Sequence, residues 1–549
     1  MRFILADDAA AIVKKVRDLV AAGDISSAIG MSREALNAGI EDPLLLNLRA
    51  YAHEQSDDLP NSLADLERAH SLAPTDPVIS HALAICLGKL GQWERAIVLL
   101  DQVIAIEPNF APAHYNKGWN SEFHGDLETA AQCYEKALAL QPGYPEATSR
   151  IAALAARRAA WPEAKEIAGR ALALDSAQFL ALQTLIRAAL GEKDHALAER
   201  LIDRHLSDSR AGPLEQAIAY GYLGDLRHAQ GRFGEAFTAY TQGNARQIEV
   251  SGRIFRRPGV KSAAEYASWL ADYVETAPAS EFAAERRGDI SLEPDNRLAH
   301  VFLVGSPRSG TTLLENILIS HPRIVSLEER PLLKDAVEAY LSSDWGLKRL
   351  ATPLRRDVAR HRALYWDRVR RERVNADGKV FVDKHPLNLL NLAVVAKIFP
   401  QAKVLFAVRD PRDVVLSCFR HTFLVNRSMF EYLTLEGTAR FYDILMRISM
   451  IYREKLNLDW CEVRNENLVH DFEREGRKIC DFIGVEWDEE MKNFGELAKS
   501  RFIATPSATQ VMRGINREGM GQWRNYAAEL APVLPILKPW IERFGYDSD

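Results

Sequence analysis

Between about residues 10 and 245 the chain reads as helical stretches broken at even intervals. Stop signals stand at Pro74, Pro108, Pro142 and Ser176, each 34 residues after the last. A second register keeps the same step: Gly91 with Ala96, Gly125 with Ala130, and Ala159 with Ala164. Two markers in phase predict stacked pairs of helices. Proline ends each second helix because it has no N–H to donate and its ring clashes with the preceding turn. The small residues are expected to let the two helices of a pair approach closely. Gly23 with Ala28 opens the array and Gly231 with Ala236 marks a late pair out of phase, so roughly six repeats are expected.

From residue 299 the period changes. Short β-rich runs at 300–304, 324–327, 379–383, 403–408 and 459–463 alternate with helical stretches, the pattern of an open, mostly parallel α/β sheet. Each run hands over to polar residues: the glycine-rich loop at 305–310, Glu328 and Glu329, Lys384, Arg409, and Arg464. Ligands of such sheets bind at the carboxyl ends of the strands. Five ends that deliver charge to one edge therefore predict an anionic-nucleotide site. Between the halves, 246–297 reads as a helical linker. It holds the basic Pro-Gly turn at 253–261, a helix over 263–275 and a polar stretch at 286–296. The predicted domains are all-α repeats over 1–245, this linker, and an α/β domain over 298–549.

Composition narrows the function classes. A formal net charge of −6 argues against a general nucleic-acid binder. The five cysteines, Cys86, Cys133, Cys418, Cys461 and Cys480, include no C-x-x-C pair, so neither a disulfide framework nor a metal site is expected. The chain opens on a four-residue apolar run closed by two aspartates, and no stretch reaches the ~18 apolar residues of a spanning helix. The expected location is the cytoplasm, with no membrane partner.

The sharpest motif is Gly305-Ser306-Pro307-Arg308-Ser309-Gly310-Thr311-Thr312, directly after a predicted strand and before a predicted helix. Its glycines permit a tight turn in which backbone N–H groups and a helix N-terminus surround a phosphate. Thr311 and Thr312 add hydroxyls. The frame is that of an ATP-binding P-loop, but the lysine required after the second glycine is Thr311.

A 34-residue period is that of tetratricopeptide helix pairs. The motif Pro307–Leu314 resembles the 5′-phosphosulfate loop of sulfotransferases, in the arginine-bearing form of the protein-tyrosine sulfotransferases. Arg409-Asp410-Pro411-Arg412-Asp413, with Ser417 eight residues after Arg409, is similar to the family's 3′-phosphate motif. Arg517-Glu518-Gly519-Met520-Gly521-Gln522-Trp523 resembles its closing R-x-G-x-x-G-x-W loop, and 505–511 resembles the approach to it. The resemblance spans roughly 298–545 and implies 3′-phosphoadenosine-5′-phosphosulfate (PAPS) as cosubstrate, with no metal. The implied donor ligands are Pro307, Arg308, Ser309, Gly310, Thr311, Thr312, Arg409, Ser417, Arg517 and Gly519.

Sulfuryl transfer, like phosphoryl transfer, rests on positioning and charge stabilisation. The resemblance implies Glu329 as the base for an acceptor hydroxyl, with Lys384 and Arg308 stabilising the leaving phosphate. A carboxylate in a phosphate-binding cleft is expected to have a raised pKa when nucleotide binds. Glu328 and His385 are rival bases; Asp383 and Asn388 are expected to be structural. Three positions depart from the family pattern: Gly521 for a serine, Pro331 for an arginine, and Asn465 for an aromatic. The acceptor class stays open among protein tyrosine, carbohydrate, lipid and small phenol. The repeats are expected to bind the acceptor or a partner protein, or to serve as a platform. Two rival functions are a P-loop NTPase or kinase, and a repeat scaffold with a degenerate nucleotide domain.

Overall fold

A computed structural model describes residues 6–282, 296–372, 374–500, 511 and 514–547. By compactness the chain divides at Glu192/Lys193, so 193–245, grouped with the repeats by sequence, is described with the second unit.

The first unit is built of helix pairs. Aspartates cap the helix starts at Ile25, Pro43, Leu59, Pro77 and Leu127, each accepting a backbone N–H of the first turn. Helices ending at Leu72, Ile106 and Leu140 stop two residues before Pro74, Pro108 and Pro142. Positive φ recurs at Gly23, Asp57, Gly91, Gly125 and Ala159, a 34-residue phase that Lys193 of the second unit continues, and occurs again at Gly231 there. The residue five places on, Ala28, Ser62, Ala96, Ala130, Ala164, Ala198 and Ala236, is fully buried every time. The roles of the two markers therefore differ from expectation. The alanines give the close helix approach, whereas the glycines supply the left-handed turn between helices. Asp57 and Lys193 make the same turn without glycine, which hid two repeats from the sequence pattern.

The second unit is a five-stranded parallel sheet of order β2-β3-β1-β4-β5. The strands are β1 Ala299–Gly305, β2 Ile324–Glu328, β3 Val380–Lys384, β4 Lys403–Val408 and β5 Asp459–Arg464, each within a residue of its predicted run. Alternate residues feed two cores. Phe302, Val304, Phe381, Val404 and Phe406 face one; Val301, Leu303, Val380, Val382 and Leu405 face the other. Both faces are covered, as an all-parallel sheet requires.

Residues 246–276 of the segment read as a linker are part of this fold. Residues 246–255 continue the helix Phe233–Phe255, and the helix Ala263–Thr276 buries Ala267, Leu270, Ala271 and Val274 in the first core. The Lys455 ammonium caps that helix, donating to the carbonyls of Val274 (2.8 Å) and Ala277 (2.6 Å). Asn244 Nδ2 donates to the Phe419 carbonyl at 3.0 Å.

Enlarging a repeat's buried small residue tests the helix approach. Ala130→Leu should cost about 1–3 kcal/mol by overpacking and lower the urea midpoint of the helical signal. Glu128→Gln, exposed on the same helix, should leave it unchanged.

Candidate functional site

All five strands run the same way, so their carboxyl ends share one edge, with β1 at the centre. The loop 306–310 leaves β1 there. Gly310 has φ 97° and precedes the helix Thr311–Ile319; a Cβ on it would lie 2.4 Å from Asn465 Oδ1. Only glycine fits that turn. Arg308 also takes a left-handed φ of 68°, a strain of the sort that concentrates at functional sites.

A cavity of about 350 Å³ opens at this edge, within the range of small-ligand sites. Pro307, Arg308, Gly310, Thr311, Thr312, Glu329, Arg409 and Gly519 line it, with His385 and Asn465. Three other candidates stand behind that wall. The buried Ser309 hydroxyl faces Gly305 and has no hydrogen-bond partner among the described residues. Ser417 Oγ accepts from Arg308 Nε at 3.0 Å, joining the two phosphate motifs directly. Lys384 has no exposed side-chain surface.

Lys384 Nζ lies 3.1 Å from Glu315 Oε2 and 3.1 Å from Glu329 Oε1. Burial alone would pull its pKa down, but the combined field of Glu315, Glu329 and Glu328 raises it, so the ammonium stays charged. Glu315 is itself buried and accepts the Ser326 hydroxyl at 2.6 Å; its burial raises its carboxyl above the usual range. Sequence reasoning missed Glu315. The available signal was one carboxylate among Leu313, Leu314, Ile317 and Leu318 on a helix that closes against the sheet. Burial also pushes the Arg308 guanidinium down to about 10, with Arg409 nearby adding to the effect, which leaves it cationic at neutral pH.

Arg409 Nη1 donates to the Arg308 carbonyl at 3.1 Å and Nη2 to that of Gly519, while its buried Nε has no partner among the described residues. The closing loop is held by Asp413, a residue of the Arg409–Asp413 motif to which sequence reasoning assigned no role. Its carboxylate accepts the N–H groups of Gly521 (2.6 Å) and Trp523 (2.9 Å). The Arg412 guanidinium lies 3.7 Å from the centre of the buried Trp523 ring, a cation–π contact. Arg517 is placed differently from the other candidates: its Nη2 is 3.2 Å from His470 Nδ1, and Asn516, Gly519 and Met520 take the wall instead. The approach segment 505–510 lies outside the described residues.

Asp383 and Asn388 form a buried network, as expected. The Asp383 carboxylate accepts Tyr365 OH (2.8 Å) and Asn388 Nδ2 (3.0 Å), and Tyr365 accepts His300 Nε2 at 2.8 Å.

Residues 300–489 match the sulfotransferase family, and 53–117 and 111–144 match tetratricopeptide repeats. An uncharacterized protein of Aquifex aeolicus is 27% identical over 44% of this chain and 33% of its own length. Protein-tyrosine sulfotransferase A of Caenorhabditis elegans is 23% identical over 45% of this chain and 67% of its own. The chain thus spans about a third of the first relative and two thirds of the second. A tetratricopeptide repeat protein from Parabacteroides merdae overlays 45% of this chain and 97% of its own at TM-score 0.37 and 19% identity, too low for any argument to rest on. The chain carries a sulfotransferase-family domain behind tetratricopeptide repeats.

The network beside Lys384 has a testable pH signature. Burial pushes the Asp383 carboxyl up to about 7, against the hydrogen bonds of Tyr365 and Asn388. Folding therefore binds a proton here between the unfolded value near ~4 and about 7. That contribution is full below the unfolded value and is lost as pH rises through the folded one. Relative to Asp383→Asn, the wild type should lose up to about 1.4 kcal/mol per pH unit across the window. Urea unfolding of both proteins through that range checks this; parallel curves would refute it.

Proposed function

We propose that the second unit transfers the sulfuryl group of 3′-phosphoadenosine-5′-phosphosulfate to a hydroxyl acceptor in the 350 Å³ cavity. The observation that carries the reading is the meeting of both phosphate motifs through the Arg308–Ser417 bond, with Glu329 and Lys384 on the same sheet edge. The residues suit the donor. Among the described residues the Ser309 hydroxyl and Arg409 Nε are buried donors without a hydrogen-bond partner, which an anionic group would satisfy, and the loop opens onto a helix N-terminus. When bound, the donor supplies an activated sulfuryl group and a phosphate leaving group.

In this reading the loop 307–312 and its helix N-terminus hold the 5′-phosphosulfate, and Arg409 with Ser417 holds the 3′-phosphate. Gly519 and Arg517 sit on the loop that closes over it. Arg308 and Lys384 offset the charge that develops on the leaving oxygen. Glu329 takes the acceptor proton. It can do so without stranding the Lys384 ammonium, because Glu315 keeps hold of it. A buried ammonium stripped of all partners would cost several kcal/mol. The name of the C. elegans relative makes a protein tyrosine the first acceptor to assay, presented by or near the repeats. We place the reaction in the cytoplasm, where the five buried, unpaired thiols would stay reduced.

Three observations favour His385 as the base: it lines the cavity, its Nδ1 has no partner among the described residues, and burial lowers its pKa so that the ring is neutral. Mutagenesis separates the two. Glu329→Gln should abolish turnover while 3′,5′-adenosine bisphosphate still binds with near-wild-type affinity by calorimetry. Full turnover in Glu329→Gln together with loss in His385→Ala would transfer the role. Arg409→Ala should weaken the bisphosphate at least tenfold, as loss of a charge-assisted clamp does; unchanged affinity would sink the 3′-phosphate assignment. Preference for ATP over the bisphosphate would favour a P-loop enzyme instead, and binding of neither a degenerate domain.

A further inference from the structure

The cavity has an apolar wall to which the donor reading gives no role: Leu387, Phe423, Leu424 and Met429. Leu387 follows β3, in the short 3-10 helix Pro386–Asn391, and the other three come after the helix Pro411–Arg420. The strand order gives the phosphate loop two flanks. On one side of β1 lie β4 and β5, whose ends bring Arg409 and Asn465 to the cavity. On the other lie β3 and β2, which bring His385, Leu387 and Glu329. Phe423 and Met429 pack, as Leu387 does, against the core of Phe302 and Phe406, whereas Leu313 and Val511 belong to the opposite face. With the donor's 3′-phosphate on Arg409, the Glu329 flank is the one left for an acceptor hydroxyl.

Residues 421–428 form neither helix nor strand, yet the stretch is held at both ends. Before it, Ser417 Oγ accepts from Arg308 Nε at 3.0 Å and Cys418 Sγ lies 3.4 Å from the Pro307 carbonyl. The stretch therefore starts against the phosphate loop. Towards its end, Asn426 Oδ1 accepts the N–H groups of Ser428 and Met429, both at 2.9 Å. The one side-chain amide oxygen of the stretch is thus turned onto its own backbone. The Phe423 ring meets those of His421 and Tyr432, with centroids 4.5 Å and 5.8 Å away. Leu424 remains 81% exposed at the cavity, a surface that only an apolar neighbour would take out of water.

Charge points the same way. Among the described residues the cationic side chains of the cavity are Arg308 and Arg409, and the donor reading assigns both to phosphate. Arg330, next to Glu329, is paired with Glu372 at 3.3 Å, and the next position is Pro331. Arg427 donates to the Lys261 carbonyl. A carboxylate carried beside the acceptor hydroxyl would instead face Glu329, a like charge, and like charges brought together in a cleft repel.

We propose that Leu387, Phe423, Leu424 and Met429 select the acceptor, and that the acceptor is a hydroxyl carried by an uncharged, apolar group rather than one flanked by carboxylates. This rests on the donor reading above and narrows it. A free small molecule and an apolar peptide segment share that chemistry.

The test is an initial-rate assay of the full chain with 3′-phosphoadenosine-5′-phosphosulfate and paired acceptors that differ in carboxylates. The pairs are capped Leu-Tyr-Leu against capped Asp-Tyr-Asp, and hexanol against hydroxyhexanoate. In a pair that is turned over, the uncharged member should have a kcat/KM about tenfold or more above its partner. N-acetyltyrosinamide names the source: equal to Leu-Tyr-Leu it assigns the wall to a free small acceptor, and poorer it assigns an apolar peptide. Phe423→Ala should raise KM for the uncharged acceptor about tenfold with a smaller change in kcat. Leu424→Lys, at an exposed position on which folding does not depend, should narrow the gap between Leu-Tyr-Leu and Asp-Tyr-Asp about tenfold. Equal rates within the pairs, preference for the carboxylate members, turnover of neither pair, or an unchanged ratio in Leu424→Lys would overturn the proposal. Calorimetry of 3′,5′-adenosine bisphosphate keeps the two failures apart. A chain that binds it and prefers the carboxylate acceptors sinks this inference alone; one that does not bind it sinks the donor reading and this inference with it.

Discussion

A lysine ammonium with no exposed surface constrains the whole carboxyl edge of the sheet. Lys384 ends β3, next to the central strand, and burying its charge would cost several kcal/mol without partners. Two carboxylates from different elements meet it at 3.1 Å: Glu315 from the helix after the glycine-rich loop, and Glu329 from the turn after β2. That ion cluster ties the loop helix, β3 and β2 to one another. Ser326 on β2 fixes Glu315 from the other side, and the Glu329 N–H returns to the Lys384 carbonyl at 2.9 Å. Of the two carboxylates Glu315 is sealed in, whereas Glu329 is 44% exposed. One anchors and the other is able to move. The role proposed for Glu329 needs that freedom, and the Glu315 anchor supplies it.

The other end of the site has its own tie. Asp413 gathers the closing loop by its backbone N–H groups, and Arg409 reaches from the end of β4 to both that loop and the Arg308 carbonyl. Behind the loop, Tyr526 OH meets His228 Nδ1 at 2.8 Å. The last helical hairpin of the array, Pro213–Ala229 with Phe233–Phe255, is thereby part of the support of the closing loop. It belongs to the second unit energetically as well as by compactness, since Ala236 and Tyr240 sit in its core.

Much of this was legible along the chain. The 34-residue step was written in Pro74, Pro108 and Pro142, since a proline stops a helix wherever it falls. The five strands were written as short apolar runs, each with a polar residue where the strand must end. Where local signals failed, packing had replaced them. Asp57 and Lys193 make left-handed turns that glycine usually marks, and the buried residues five places on hold them there. The stretch 246–297 carried turn and charge signals of a linker, yet its helix is held by a core whose residues run from Ala236 to Phe544.

The candidate site divides in the same way. The phosphate loop, Arg409, Lys384 and Glu329 were readable because each follows a strand, and a parallel sheet brings all such ends to one edge. Glu315 and Asp413 were not, since their importance lies in what they touch: a lysine 69 positions on, and two amides more than a hundred positions on. Arg517 shows the converse, a motif residue whose guanidinium turns to His470. The sequence by itself determined the elements, their order and the residue types at the strand ends, because those depend on local periodicity. Only the tertiary structure decided which charges are buried together, because an ion pair's partners are chosen by the fold's geometry and by the cost of leaving either one alone.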